Sequence, residues 1–537
     1  MTDVCKLNWT YFCCESRIPD MENGKDTVVV VGAGMGGLAA AMRLAAAGWS
    51  VSLCDAHPWP GGKMRQMPSP AGPVDAGPTV LTLRDILAQL FDDTGASLES
   101  ALELQPLAEL ARHFWADGTR LDLGHSPEAN AAAIEAAFGA RARQDFLRFS
   151  RATAQLFQAF DGPIMRSAHP RIGPAARAAL LRPATWAWLA PGRSLHSALR
   201  ASFHEPKLRQ LFGRYATYVG GNPLLAPAVL GLVWQAEAQG VWAVRGGMAA
   251  LAQALAQRFV DLGGQLRLGT GVQQILHQGG RVQGVRLSDG SQISAQTVVF
   301  NGDPLGLPAL LGSAPRRPKL YPGRSLSARV WTFAAEVAPA GLGRDALGYH
   351  SVFFGDDALA EFQPLARNQT PTEPTIYVCA QDRLDGPPDG LERFQMILNA
   401  PPVAAQGERT QECQNHPLAR LHHFGLQMAP WPQAAQLTTP AQFAQLFPAS
   451  QGALYGQSPN STYATFQRPQ ARTALAGLYL AGGGVHPGAG VPMALLSGQH
   501  AAQAVQSDQI SPARSRPMAT RGGMSTGSAT VARGRFL

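Results

Sequence analysis

Thr27–Asp55, TVVVVGAGMGGLAAAMRLAAAGWSVSLCD, is the stretch that decides the fold. Val28–Val31 is an unbroken β-branched run, the pattern of a strand buried on both faces of a parallel sheet. Gly32, Gly34 and Gly37 follow with G-x-G-x-x-G spacing. The first glycine permits a tight turn, the second lets a pyrophosphate approach the backbone, and the third lets helix and strand pack closely. From Leu38 the run LAAAMRLAAAG reads as a helix that ends at Gly48. Its N-terminal N–H groups and dipole suit an anion without any cationic side chain. Val51–Cys54 predicts a second strand, and Asp55 stands at its end, 23 positions after Gly32, where a carboxylate meets a ribose diol. Strand, glycine triad, helix, strand and acid in one unit make a dinucleotide grip. The run is long and apolar enough for a transmembrane span, but Arg43 and the repeated glycines argue against one. The acid, with no arginine beside it, favours FAD or NAD over NADP.

Working outward, 537 residues suffice for more than one packed unit, and a composition of 45% hydrophobic and 15% charged residues is globular. The net charge of +8 and a pI near 9.4 suit an anionic surface. With no nucleic-acid-binding motif present, lipid is the better match and no nucleic-acid partner is expected. The six cysteines (Cys5, Cys13, Cys14, Cys54, Cys379 and Cys413) form neither a disulfide framework nor a metal-ligand spacing, so no metal and a reducing cytoplasmic location are expected. No apolar signal segment precedes the grip.

Residues 1–26 read as a non-core extension, and residues 508–537 as a disordered basic tail. Pro60-Gly-Gly-Lys-Met-Arg65 and Val74-Asp-Ala-Gly-Pro-Thr79 place glycine turns and two basic side chains a few residues after Asp55. Leu83–Thr94 reads as an amphipathic helix, and helical pattern dominates from there to about residue 235. Between Gly162 and His204 there is no acidic residue, while Arg166, Arg171, Arg177, Arg182, Arg193 and Arg200 interleave with Leu180, Leu181, Trp186, Trp188, Leu189 and Leu195. This composition suits either a membrane surface or a helical domain with solvated arginines. Further on, Leu266–Leu268, Val272–Leu276, Val282–Leu287 and Thr297–Phe300 read as short strands. Val330–Ala335 and Thr375–Ala380 are strand candidates in a Pro-rich, mixed region. Gly477–Met493, GLYLAGGGVHPGAGVPM, runs from a strand into a glycine loop, and a helix is predicted from Val491 to Val505.

Taken together, the G-G-K segment after the grip, the D-x-G turn, YVGGNP at 218–223, the W-x-x-x-G-G turn at 242–247 and GAGVP at 488–492 resemble the flavin-containing amine oxidase and phytoene desaturase superfamily. The resemblance spans roughly Thr27 to Gln506. Within the bacterial carotenoid desaturases, VDAGPTVLT at 74–82 and AGGGVHPGAGVPMALLSG at 481–498 are most similar to the 1-hydroxycarotenoid 3,4-desaturases, also called methoxyneurosporene dehydrogenases. Asp55 stands where that family usually has glutamate.

The resemblance implies an α/β fold: a Rossmann-like FAD-binding domain of amine oxidase and phytoene desaturase type, a mixed α+β substrate domain and a helical membrane-facing region. It assigns 27–100, 240–303 and 472–507 to the FAD-binding domain, and 101–239 and 304–471 to the substrate and membrane-facing region. The cofactor implied is FAD, contacted by Gly32, Gly34, Met35, Gly36, Gly37, Asp55, Gly61, Gly62, Lys63, Arg65, Gly77, Val272, Asp303, Gly482, Gly490, Val491 and Pro492. The partners implied are an acyclic hydroxycarotenoid and the lipid surface of the cytoplasmic membrane to which the protein attaches peripherally; the electron acceptor is left open between quinone and oxygen. Desaturation beside a polyene removes hydride to the flavin and then a proton, so the protein chiefly positions its substrate. His486 is the candidate proton acceptor, and Arg245 a weaker catalytic candidate. No hydrolytic constellation is present. Two alternatives remain: another carotenoid desaturase of the phytoene or neurosporene type, and a non-catalytic lipid carrier like the Rab escort and GDP-dissociation-inhibitor proteins.

Overall fold

A computed structural model describes residues 27–312, 323–402, 412–461 and 464–514. The extension predicted at 1–26 and the tail beyond residue 514 lie outside the described residues. The valine run forms the strand Thr27–Val31, buried at every position, in the middle of a five-stranded parallel sheet ordered Leu478–Leu480, Thr297–Phe300, Thr27–Val31, Ser50–Cys54 and Gln265–Arg267. Its neighbours come from sequence segments more than two hundred residues apart. The helix Met35–Ala46 covers one face of this sheet, with Leu38–Met42 fully buried. It packs against the helices Met248–Asp261 and Val491–Arg514. Small alanines let these three helices approach closely around one core.

Val272–Gln278, Arg281–Leu287 and Gln292–Ser294 form a separate antiparallel sheet. A third, eight-stranded mixed sheet is built on Ser327–Val337, Glu392–Ala400, Ile376–Ala380 and His350–Phe353. The helices Pro127–Phe138, Ala140–Phe160, Leu195–Ser202 and Pro206–Gly213 pack around a second core rich in aromatic rings, among them Phe146, Phe149, Phe212 and Trp234.

Two elements differ from expectation. Residues 104–124, predicted helical, are strands: Glu109–Phe114 and Arg120–Gly124 make a hairpin around Asp117-Gly118 and join the mixed sheet beside His350–Phe353. An Asp-Gly turn between alternating apolar positions is a hairpin signal; Gly118 takes φ +85° there. The final helix, predicted to end at Val505 with a tail from 508, continues to Arg514. Asp508 accepts from Arg472 Nε at 3.1 Å and from the Tyr479 hydroxyl at 2.9 Å, which ties that turn to the sheet.

Candidate functional site: a two-walled cavity

A cavity of about 1360 Å³ runs between the parallel sheet and the helical region. It exceeds the ~300–1,000 Å³ typical of a site for one drug-sized ligand, so it has room for a dinucleotide and a second long molecule.

One wall is mostly backbone. Gly32 turns at φ +98° and donates its N–H to the Cys54 carbonyl at 2.7 Å. A Cβ on Gly37 would overlap the Gly32 carbonyl oxygen, a Cβ on Gly36 would stand 2.6 Å from the Gly482 nitrogen, and one on Gly34 2.8 Å from Asn301 Nδ2. Asn301 Nδ2 donates to the Gly32 carbonyl at 3.0 Å and Gly61 N–H to the Ala33 carbonyl at 2.8 Å. Three glycine segments far apart in sequence are thus stitched together, and Gly32, Gly34, Met35, Gly36, Gly61, Gly62, Gly482 and Gly490 all line the cavity. The helix Met35–Ala46 begins there without a side-chain cap. The first turn of Val491–Arg514 also faces the cavity through Val491, Pro492 and Met493. The helix start at Met35 on this glycine wall fits the phosphates of a dinucleotide.

Asp55 lines this wall, and its carboxylate accepts the Ala33 N–H at 2.6 Å and the His57 N–H at 2.8 Å. It braces the turn and keeps lone pairs for a ribose. Val272 and Asp303 also line the cavity; Asp303 caps Pro304–Gly306 and pairs with Arg324. Lys63 reaches the Leu454 carbonyl at 2.5 Å and lies 5.5 Å from the Phe447 ring centre. Burial moves its ammonium down to about 8. Gly77 is obligatory, since a Cβ would overlap the Lys63 carbonyl oxygen. Asp75, just before it, accepts the Met248 N–H and the Ala249 N–H (3.4 Å), capping that helix.

Three predicted side chains are placed elsewhere. Arg65 is not on the cavity wall: its guanidinium donates to the Thr438 hydroxyl at 2.5 Å and the Met67 sulfur at 2.8 Å and lies over the Phe443 ring. Arg245 sits at the surface, bridging Glu103 at 2.7 Å and Asp385 at 3.1 Å. His486 is buried behind the glycine loop rather than on the cavity wall: its Nε2 meets the Ser167 carbonyl at 2.9 Å and its ring stacks on His500 at 5.8 Å. Burial lowers its basicity, which leaves it poorly suited to accept a proton from a substrate.

The opposite wall is made of side chains, among them Phe157, Phe160, Ile164, Trp188, Leu189 and Leu230. Trp188, expected at an interface, is buried against Phe149. Ile172, Leu180, Leu181 and Trp186 are exposed, between 53% and 77%, and Ile172 also lines the cavity. The exposed apolar residues thus meet the cavity at Ile172. Arg166 is drawn inward to Asp85 and Asp161, whereas Arg171, Arg177 and Arg200 stay exposed. Among the described residues no helix is long and apolar enough to cross a membrane, and no His, Cys, Asp or Glu cluster is placed to hold a metal.

Sequence reasoning missed Arg468 as a site residue. Its guanidinium spans the carbonyls of Tyr455 (3.2 Å), Gln457 (3.1 Å) and Gly483 (2.9 Å), fixing the loop beneath the cavity. It missed Glu237 as well, an acid on the substrate wall beside Arg214 and Tyr218. Neither stands in a glycine motif, and no local pattern marks either one.

Comparison with known proteins gives a family model, two close relatives and a solved structure of the same fold. The model of flavin containing amine oxidoreductases matches residues 35–506. The chain is 52% identical over 494 residues to the hydroxyneurosporene desaturase of Cereibacter sphaeroides, covering 91% of this chain and 99% of that protein. It is 48% identical to the Rhodobacter capsulatus protein of the same name, again covering 91% and 99%. Among solved structures, cyclohexylamine oxidase from Brevibacterium oxydans superposes with a TM-score of 0.56 at 17% identity, covering 91% of this chain and all of the other.

Proposed function

Because this chain belongs to the flavin containing amine oxidoreductase family, as a member of its carotenoid desaturase branch that uses FAD, we propose that it desaturates 1-hydroxylated acyclic carotenoids at the C3–C4 bond. The observation that carries this is the near full-length identity of 48–52% to proteins named for hydroxyneurosporene, joined to a cavity with one glycine wall and one apolar wall. The bound flavin supplies a hydride acceptor. The chain's own contribution is placement. Gly32–Gly37, Gly61-Gly62 and Gly482–Gly490 would allow backbone to approach the cofactor, Asp55 would hold the ribose, the helix start at Met35 would face the phosphates and the helix start at Val491 the flavin. The apolar wall excludes water and aligns an extended polyene with the cofactor. Loss of a proton from an allylic cation needs no strong base, which agrees with a cavity wall on which, among the described residues, His57 is the one histidine, its ring held by the Leu446 carbonyl and Trp59.

Peripheral attachment to the cytoplasmic membrane is part of the same proposal. Leu180, Leu181 and Trp186 would enter the headgroup region, with Arg171, Arg177 and Arg200 facing anionic lipid, and the polyene would pass between them. The test of substrate class is incubation of the flavin-loaded protein in liposomes with a panel of acyclic carotenoids, read by polyene absorbance. A red shift confined to 1-hydroxylated substrates is expected. Turnover of phytoene in preference would move the protein to another desaturase reading, and a protein that purifies without flavin and turns over nothing would make it a lipid carrier.

A further inference from the structure

The cavity contains a polar cluster that the dinucleotide wall does not use. Among the described residues lining it, Asp55, Glu237 and Asp303 carry carboxyl groups. Asp55 and Asp303 belong to the glycine wall and are engaged there. Glu237 lies on the short helix Val233–Ala238, across the cavity, flanked on the wall by Leu232, Val233 and Ala236. It is 3% exposed. The Tyr215 hydroxyl donates to one of its oxygens at 2.5 Å and the Tyr218 hydroxyl to the other at 2.6 Å. The Arg214 guanidinium lies 5.0 Å from the Tyr218 ring centre and 5.5 Å from that of Tyr215.

This arrangement is costly in a wall built to hold a hydrocarbon, since a buried charged group must be compensated by partners. Compensation is incomplete: Arg214 Nε and Nη2 are buried and meet no hydrogen-bond partner among the described residues. The other two cations on the cavity wall, Lys63 and Arg468, are taken up by backbone carbonyls. A carboxylate offers about four lone-pair positions, and the two tyrosines leave room for another donor.

We propose that Glu237 is the specificity-determining acceptor for the tertiary hydroxyl of the carotenoid, held in place by Tyr218, Tyr215 and Arg214. The inference rests on the substrate reading above. The substrate O–H donates to the Glu237 carboxylate, while the adjoining chain lies along Leu230, Leu232 and Val233. An unhydroxylated substrate puts a methyl-bearing carbon against the same carboxylate and leaves it one hydrogen bond short, which is how a polar site rejects an apolar analogue.

The experiment is a competition in liposomes between a 1-hydroxylated acyclic carotenoid and its unhydroxylated parent, comparing the unmodified protein with Glu237→Gln and Tyr218→Phe at measured flavin content. The unmodified protein is expected to prefer the hydroxylated substrate. Glu237→Gln is expected to lower the ratio of the two kcat/KM values about tenfold, the size of one hydrogen bond to a charged group, and Tyr218→Phe about threefold. An undiminished ratio in Glu237→Gln, or equal losses on both substrates, overturns the inference and leaves the substrate reading standing. Equal turnover of both substrates by the unmodified protein overturns the substrate reading and the inference with it. If Glu237→Gln does not retain flavin, Tyr218→Phe decides alone, and an unchanged ratio there overturns the proposal.

Discussion

The two walls of the cavity are built on opposite principles. The dinucleotide wall is backbone: Gly34, Gly36 and Gly37 sit where a Cβ would strike Asn301, Gly482 or Gly32, and its fixed charges are helix termini with Asp55, Lys63 and Asp303. The substrate wall is side chain: Phe157, Phe160, Trp188 and Leu230 fill it, and its polar content is concentrated at Glu237 and the residues around it. A backbone wall tolerates no added atom, whereas a side-chain wall yields by repacking. Substitutions on the first should therefore act all-or-none on the cofactor, and those on the second should grade substrate and stability.

The largest effect is expected from Gly34→Val. It drives a side chain into Asn301 and breaks the bond that Asn301 makes to Gly32, so flavin should be absent from the purified protein. Absorbance near the flavin band per mole of protein measures this; a full complement would break the proposed division of walls. A smaller, graded effect is expected from Asp55→Asn, which keeps the shape but weakens the acceptor for Ala33, His57 and the ribose. About a tenfold loss of flavin affinity follows from one charge-assisted bond, measurable by titrating the apoprotein.

Acid should act on both sides of the cavity. Burial lowers His113 and His350 to about 3 and His500 to about 4. His113 and His350 lie on the mixed sheet and His500 on the final helix. Their folded values fall below the ordinary 6.5, so between pH 6.5 and 4 the unfolded chain binds more protons and stability falls as pH falls. Near pH 5 unfolding should take up about three protons, read from the slope of the urea midpoint against pH. A flat profile would show that these imidazoles are not buried as neutral rings.

The smallest effect on stability, within about 0.5 kcal/mol, is expected from Leu181→Ser with Trp186→Ser, because both side chains are exposed. Their effect should appear in binding to anionic vesicles, which should weaken severalfold and weaken again with salt. Vesicle binding indifferent to both would detach these exposed residues from the membrane proposal.

Most of the dinucleotide wall was legible in the chain, since its requirements are local. A glycine that must turn, a helix that must start and an acid at the next strand end all fall within Thr27–Asp55, where covalent geometry sets the spacing. The same holds for the glycine loop before Val491, and the hairpin at 109–124 was legible too, had Asp117-Gly118 been given weight over helical pattern. Side chains whose role depends on what they meet were not legible. Lys63 and Arg65 stand two positions apart, yet one reaches the cavity wall and the other turns to Thr438.

By itself the sequence determined the strand, glycine turn, helix and acid of one dinucleotide grip, because backbone sterics and helix termini act over a few residues and leave a spacing that can be read; FAD and the meeting of three glycine segments were implied by the family resemblance. Tertiary structure alone decided that His486 is spent on the Ser167 carbonyl, that Arg245 stays at the surface, that Trp188 is core while Trp186 is exposed, and that Glu237 meets two tyrosines and faces the cavity. The physical reason is that a side chain's charge, reach and solvation are set by neighbours brought from elsewhere in the chain, and no local pattern records which neighbours those are.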